Sequence, residues 1–344
     1  MRDATDWLLQ SKRSEEIDAI HEVLKFQQRA AAAAYRTTID VENVEELFSL
    51  ASAIGDDALK KSFTLAIAAT LDACRNASGV NTLTAGIPPN IAQRLPWKRA
   101  TNQTGIDPTQ LVRFEQPVHD YYVACMLGLL DANPPAARNT FITFNYDLVL
   151  EDALAGLGFR ISYGIPRARL TPAHTIYEAG EPSVPVLKLH GSMNWVRPGR
   201  RGERLTAYAA YSEVRARGKL PVLIPPTWKK DFSRTFADVW DQAIAALQQA
   251  TRVITIGFSM PETDVHFKYL LSAGLQENVS LRKILFADPT IRPVAIRALR
   301  VLRRELQARG ILSFEEETAR TLLLNRGNIG SIGRAMHAQI VWNI

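Results

Sequence analysis

Polar residues and a glycine directly follow four short apolar runs in the second half of this 344-residue sequence. Asn145 and Asp147 follow TFITF, His190 follows VPVLKL, Gly257 follows RVITI and Asp288 follows RKILFA. An amide, carboxylates, an imidazole and a glycine that admits a close backbone approach suit acid–base chemistry on a bound small molecule. If the four runs are parallel strands, their carboxyl ends meet at one edge of a sheet. The spacing therefore predicts a candidate active site at that edge.

Each of these residues also has a purely structural interpretation. Asn145 and Asp147 are residue types that cap a helix, and a helix is expected to begin near Leu148. Asp288-Pro289 is a common turn initiator, and the histidine and the glycine both occur in ordinary tight turns. The joint occurrence favours an active site, while the alternative for each single residue stays open.

The apolar runs alternate with helical segments, which predicts an α/β fold with a doubly wound, Rossmann-like parallel sheet. The PVLIP run is bounded by prolines and suits an edge strand. The predicted strands are 140–144, 184–189, 221–225, 252–256 and 282–287.

The first third of the sequence reads as helices without a strand. Helices are predicted over 15–37, over 44–54 with Asn43 as N-cap, and over 58–77. A connector follows over 79–105, and a further helix over 111–131. These patterns predict a helical region or subdomain over 1–135, packed on a Rossmann-like core over 136–344.

Composition excludes several classes of protein. Hydrophobic residues make up 47% and charged residues 22%, as in globular domains. No apolar run approaches the roughly 18 residues of a membrane span, and no secretory signal is evident, so a cytoplasmic location without membrane contact is expected. The two cysteines, Cys74 and Cys125, are too few for a four-thiolate zinc site, and both are predicted to be buried.

The net charge of +6 is modest, with a local concentration of arginine over 292–309. Arg297, Arg300 and Arg304 would share one face of a helix, with apolar residues opposite. A solvated amphipathic helix explains this pattern, and nucleic-acid binding is the weaker interpretation.

Three motifs carry a family resemblance. TFNYD (143–147), LHGSMNW (189–195) and IGFSMPETD (256–264) resemble the later signatures of the sirtuin-like NAD-binding family, in the same order and strand context. VENVEELF (41–48) is similar to the acidic helical segment that follows the family's first motif. The resemblance covers about 41–288 and is nearest to the bacterial branch found in anti-phage defence effectors.

The resemblance implies cleavage of the nicotinamide–ribose bond of NAD+. His190 would be the base acting on a ribose hydroxyl or on water, Asn145 would orient the ribose or the water, and Asp147 would hold the nicotinamide carboxamide. Gly257 and Ser259 would let the backbone approach the ribose and phosphates, and Asp288 would meet the adenosine ribose. The residues expected to contact the dinucleotide are Gly191, Ser192, Gly257, Phe258, Ser259, Asp264 and Asp288.

Two departures from the family pattern modify this expectation. Family deacylases carry four zinc-binding cysteines after the histidine motif, whereas this sequence has no cysteine beyond Cys125, so hydrolysis of NAD+ without a metal is favoured over zinc-free deacylation. The family's glycine-rich G-x-G-x-S turn is also absent, since the first glycine is Gly55, and GNIGSIG (327–333) is interpreted as a flexible turn. A piece preceding Met1 is expected, because loss of a central strand would leave backbone groups unpaired in the core.

The sequence thus predicts a sirtuin-like NAD+ hydrolase, acting as an effector of a bacterial anti-phage (abortive infection) system. It is expected to form a homo-oligomer and to meet a partner protein of that system. The alternative is a non-catalytic module that binds NAD+ or ADP-ribose as a sensor or scaffold.

Overall fold

The computed structural model describes residues 2–33, 39–77, 82–87, 93–96, 112–130, 139–177, 183–197, 204–225, 234–260, 265–325 and 338–342. Its helices lie mainly in the first third and between the later strands. They are α1 (Arg2–Gln10), α2 (Ser14–Ala33), α3 (Val44–Ile54), α4 (Asp57–Ala77), α5 (Val118–Met126), α6 (Val149–Gly156), α7 (Tyr211–Ala216), α8 (Arg234–Gln249), α9 (Val265–Leu275), α10 (Ile291–Ala298) and α11 (Arg304–Ala308).

The predicted helices of the first third are confirmed, and α3 matches its predicted bounds. Asn43 caps α3, because its Oδ1 accepts hydrogen bonds from the backbone N–H groups of Glu45 (2.9 Å) and Glu46 (3.3 Å). Gly55 ends the same helix in the left-handed conformation with φ 77°. The expectation for residues 34–37 lies outside the described residues.

The prediction that the first third of the sequence contains no strand is wrong. Strand β1 (Thr82–Ile87) pairs antiparallel with β2 (Val112–Pro117). The helix predicted from residue 111 therefore begins only at Val118. Proline disfavours the helical conformation of the residue before it, so the chain stays extended up to Pro117.

In the described part of the chain, the largest sheet contains seven strands in the order β12-β11-β10-β13-β3-β6-β4, all paired in parallel. This confirms the α/β class and four of the predicted strands. The strands are β3 (Thr140–Thr143), β4 (Arg160–Ser162), β6 (Ser183–Lys188), β10 (Arg252–Ile256), β11 (Lys283–Ala287), β12 (Leu312–Glu315) and β13 (Ala338–Trp342).

The centre of this sheet is occupied by β13, the strand latest in the sequence. Its backbone pairs with β10 on one side, where Ile254 lies opposite Ile340, and with β3 on the other, where Ile340 lies opposite Phe141. The backbone groups of β3 and β10 are therefore paired across this position. The piece expected before Met1 stays a prediction.

A smaller sheet lies beside the first, in the order β5-β8-β7-β9. The PVLIP run supplies its strand β9 and pairs antiparallel with β7. An edge position for this proline-bounded run is confirmed. The strands are β5 (Leu170–Pro172), β7 (Gly191–Val196), β8 (Leu205–Ala207) and β9 (Pro221–Leu223).

Two hydrophobic clusters form the core of the described residues. The larger lines the seven-stranded sheet and includes Phe141, Val186 and Ile254, together with 121–126 of α5. The smaller joins α1–α4 to the small sheet and includes Phe63 and Tyr146. Residues on both sides of position 135 thus enter each cluster, and a division into domains at that position stays a prediction.

Two local predictions are corrected. The arginine-rich segment is not one amphipathic helix, because α10 ends at Ala298 and α11 begins at Arg304, so Arg297 and Arg304 belong to different helices. Ile296, one of the apolar residues predicted to lie opposite the arginines, is 59% exposed. Cys125 is buried as expected, whereas Cys74 is exposed near the end of α4. The apolar pattern of the sequence does not show on which face of α4 the Cys74 side chain lies.

Candidate active site

The seven-stranded sheet changes its winding direction at β13. Strands β3, β6 and β4 extend to one side of β13, and β10, β11 and β12 extend to the other. In open parallel sheets, ligands bind beyond the carboxyl ends of the strands at such a switch point. The segments that follow β3, β6, β10 and β11 all leave the sheet at this edge, as the sequence predicts.

The segment after β3 carries Asn145 and Asp147, both half-buried. The Asn145 N–H donates to Thr143 Oγ1 (3.1 Å), and Asp147 Oδ1 accepts from the Val149 N–H (3.0 Å) at the start of α6. Asp147 therefore performs the helix-starting role that its residue type allows. This hydrogen bond uses only one of the two carboxylate oxygens of Asp147.

His190 follows β6 in an aromatic enclosure. Its ring centroid lies 5.0 Å from that of Phe144 and 6.2 Å from that of Tyr146, and the residue is only 2% exposed. The Tyr146 hydroxyl donates to the Ile224 carbonyl (2.8 Å), while the Ile224 N–H donates to the His190 carbonyl (2.8 Å). The imidazole is thus held by its own backbone and by two aromatic neighbours.

Gly191 and Ser192 join the histidine segment to the segment after β3. Gly191 has φ 87°, and a Cβ on it would lie 2.1 Å from the Val222 carbonyl oxygen, so only glycine fits. Ser192 is fully buried, with Oγ 3.5 Å from the Tyr146 carbonyl oxygen. The Met193 N–H donates to that same carbonyl (3.0 Å). In this structure both residues pack the site, and contact with a dinucleotide stays a prediction.

The segment after β10 makes sharp turns. Gly257 and Met260 have backbone φ angles of 66° and 51°. Residues with a side chain, such as methionine, rarely adopt positive φ. Phe258 is 2% exposed and stacks on Phe144 at 4.6 Å, whereas Ser259 is exposed. Of these residues Ser259 is open to a ligand, and Phe258 packs beneath the site.

Asp288 follows β11 and forms a turn. Its Oδ1 accepts from the Thr290 N–H (2.7 Å), and its own N–H donates to the Glu315 carbonyl (3.2 Å). The turn interpretation is therefore realised, and its carboxylate is half-buried. Asp264 lies outside the described residues.

The structure adds two titratable residues that the sequence did not single out. His119, half-buried at the start of α5, has its pKa lowered by burial, while the Asp147 carboxylate opposes that shift. The neighbouring Asp120 is 6% exposed, and burial, with a contribution from Asp152, raises its pKa to about 7. Neither residue follows a strand of the seven-stranded sheet, and the packing of α5 on α6 brings them to this side of the molecule.

Within the residues that the structure describes, no three His, Cys, Asp or Glu side chains lie close enough together to hold a metal ion. Across the same ranges, no helix has both the length and the apolar character needed to cross a membrane.

An amide and a carboxylate thus follow strand β3, an imidazole follows the neighbouring strand β6, and a glycine turn follows β10 on the other side of β13. Comparison with protein families finds a match to the SIR2-like domain over residues 139–311, which begins at β3 and includes all four strand ends. A search of curated proteins finds no match. The family match spans half of the sequence, and the chain belongs to the SIR2-like family.

Proposed function

We propose that this protein hydrolyses the bond between nicotinamide and ribose in NAD+. Membership of the SIR2-like family implies the use of NAD+. The observation that carries the proposal is the pairing of the His190 segment with the Asn145–Asp147 segment on adjacent strands, joined by the Met193 N–H to Tyr146 carbonyl hydrogen bond (3.0 Å). This pairing supplies a base, an amide and a carboxylate at one edge of the sheet.

The proposed reaction passes through an oxocarbenium-like state of the ribose. The bond from C1′ to the nicotinamide nitrogen breaks, its electron pair leaves with neutral nicotinamide, and a water oxygen forms a new bond to C1′. His190 takes the proton that the water loses, Asn145 orients the water or the ribose, and Asp147 accepts hydrogen bonds from the carboxamide. The products are nicotinamide and ADP-ribose.

Hydrolysis is proposed in preference to zinc-supported deacylation. The two cysteines of the sequence cannot supply the four thiolates of the deacylase pattern, and Cys125 lies buried in α5. Water then serves as the acceptor of the ADP-ribosyl group. A zinc-free deacylase would release nicotinamide only when an acylated peptide is present, which separates it from a hydrolase in the assay below.

The test is chromatographic detection of nicotinamide released from NAD+ by the full chain. His190→Ala should lower the release rate by about 10²–10⁴-fold, the range for loss of a general base. His21→Ala, which removes an exposed histidine of α2, is the matched control and should retain the wild-type rate. Full cleavage by His190→Ala would contradict the mechanism.

A second candidate function is favoured by the burial of His190. An imidazole only 2% exposed suits a module that binds NAD+ or ADP-ribose without cleaving it. Such a module would show a ligand-dependent rise in melting temperature, because a ligand bound only by the native state stabilises it. A rise in melting temperature without nicotinamide release would favour this alternative.

The motif resemblance supports a biological role for the proposed activity. We propose that it depletes NAD+ as the effector of a bacterial anti-phage system, as a homo-oligomer triggered by a partner protein. Cellular NAD+ should then fall after phage infection in cells carrying the wild-type protein and stay constant with His190→Ala. Light scattering on the purified protein would give the number of subunits.

A further inference from the structure

A fully buried ion pair lies directly behind the candidate site. Lys188, two residues before His190 in β6, is 1% exposed. Its Nζ lies 3.0 Å from Glu151 Oε1, and the side chain of Glu151 is 3% exposed. The same ammonium donates a hydrogen bond to the Asp147 backbone carbonyl. One side chain therefore joins the strand that leads to His190 with the segment that carries Asp147.

A chain of hydrogen bonds holds the carboxylate end of this pair. Glu151 Oε1 also accepts from the Tyr163 hydroxyl (3.0 Å), which in turn lies 3.3 Å from Asn194 Nδ2. The Asn194 amide donates to the Tyr208 carbonyl (2.6 Å) and to the Tyr177 hydroxyl (2.9 Å). The ion pair is thus fixed from α6, β6 and β7 at once.

Stability alone does not account for this arrangement. Removing two charges from water is costly, and replacing a buried ion pair by apolar residues of similar volume is often neutral or stabilising. Burial raises the pKa of Glu151, although the Lys188 ammonium opposes that effect. An apolar pair would fill the space but could not hold the Asp147 carbonyl. Orientation of that carbonyl is what the charged pair adds.

We propose that Lys188 is a positioning residue, which fixes the Asn145–Asp147 segment relative to His190, with Glu151 holding the ammonium in place. This inference rests on the proposed NAD+ hydrolysis, because positioning matters when the two segments act on one substrate. Misplacing a reacting group by about 1 Å lowers turnover by about 100-fold. Lys188 itself touches no reacting atom.

The test uses the double variant Lys188→Met/Glu151→Leu in the full chain. It should fold and melt at or near the wild-type temperature, because neither charge is left alone in the core. Its kcat for nicotinamide release should fall by about 100-fold, with a smaller change in KM. Hydrogen exchange of the backbone amides of residues 145–149, followed by mass spectrometry, should become faster.

The matched control is a second buried ion pair, far in the sequence from the candidate site. Arg13 Nη1 lies 2.7 Å from Asp72 Oδ2 between α1 and α4, with side chains 9% and 2% exposed. The double variant Arg13→Met/Asp72→Leu replaces the pair by apolar residues of similar volume and so opens no cavity between the helices. It should keep both the wild-type kcat and the wild-type exchange of residues 145–149. Loss of turnover in both double variants would point to a general effect of removing buried charge and overturn the proposal.

The exchange measurement separates this inference from the proposed function. If the wild-type protein releases no nicotinamide, the proposed function fails, while faster exchange of residues 145–149 in Lys188→Met/Glu151→Leu still supports positioning by Lys188. If Lys188→Met/Glu151→Leu has the same kcat and the same exchange of residues 145–149 as the wild-type protein, positioning by Lys188 is overturned. Should the double variant fail to fold, Glu151→Gln replaces it, and unchanged exchange there would overturn the inference equally.

Discussion

At the scale of single residues, the candidate site depends on a backbone contact that only glycine permits. Gly191 directly follows His190 and is the first residue of β7, with φ 87°. Its Cα faces the Val222 carbonyl so closely that a Cβ would lie 2.1 Å from that oxygen. Strands β7 and β9 meet at this point, where Gly191 is paired with Leu223. The glycine therefore sets the position at which the histidine leaves the sheet.

Gly191→Ala should destabilise the protein more than an alanine at another left-handed glycine. A positive φ costs an alanine about 1–2 kcal/mol of stability, and the clash with the Val222 carbonyl adds about 1–3 kcal/mol. Gly55 has φ 77° with open space where a Cβ would lie, so Gly55→Ala measures the first contribution alone. Urea denaturation of both variants measures how much unfolding free energy each loses. Equal losses would contradict the clash at Gly191.

Asp120 should make stability depend on pH. Its folded-state pKa of about 7 lies above the usual value of an aspartate, so the folded state binds the proton more tightly than the unfolded state. The free energy of unfolding should therefore fall as the pH rises from about 4 to about 7, by up to about 4 kcal/mol from this carboxyl. Asp120→Asn should flatten that dependence in denaturation curves.

At the scale of elements, the seven-stranded sheet depends on β13 at its centre. A strand between two parallel neighbours directs successive N–H groups alternately to one side and the other. In β13 these groups face β10 and β3, which precede the segments carrying Gly257 and Asn145. The strand thus sets the separation of the two halves of the site.

Proline within β13 should disrupt the sheet at either of two successive positions. Gln339→Pro and Ile340→Pro each remove one N–H from the ladder, leaving a buried carbonyl unpaired at about 1–3 kcal/mol in addition to backbone strain. In the edge strand β12, one of two successive N–H groups faces away from the sheet. Of the variants Ser313→Pro and Phe314→Pro, the less destabilised one should therefore have a higher melting temperature than both β13 variants. A lower melting temperature than theirs would contradict the central position of β13 in the sheet.

At the scale of the whole molecule, the segment carrying the candidate site is shared between two cores. Phe144 packs in the larger cluster, whereas Tyr146 and Leu148 pack with the helices of the first third in the smaller cluster. One segment thus packs against the sheet layer through Phe144 and against the helical layer through Tyr146 and Leu148. The helices α1–α4 are consequently part of what holds Asn145 and Asp147 in place.

A cavity in the smaller cluster should loosen this segment. Phe63 is fully buried, stacks on Phe48 at 5.5 Å and meets Phe26 edge-on at 5.9 Å, so Phe63→Ala should cost about 3–5 kcal/mol. Exchange of the amides of residues 145–149 should rise as well. Phe236→Ala creates a cavity of the same kind in the larger cluster. It should lower stability while changing the exchange of residues 145–149 less. Equal exchange of residues 145–149 in the two variants would contradict the role of helices α1–α4 in holding this segment.

The sequence predicted those features that depend on local pattern. The strand over 252–256 and the helix over 44–54 have the structure's own bounds, because periodicity, β-branched residues and an Asn43 cap act over a few neighbours. The strand before residue 117 and the break of the helix after Ala298 were predicted wrongly. In both cases the apolar pattern is compatible with helix, and contacts distant in sequence decide between the alternatives.

The sequence by itself determined the α/β class, the family motifs and the placement of Asn145, Asp147 and His190 at strand ends, because these follow from residue type and short spacing. Only the tertiary structure decided that β13 fills the centre of the sheet and that Lys188 reaches the Asp147 carbonyl. The burial of His190 and the approach of His119 to Asp147 were decided in the same way. Strand order, burial and the pKa of a carboxyl depend on neighbours brought together by folding, and a linear pattern does not contain them.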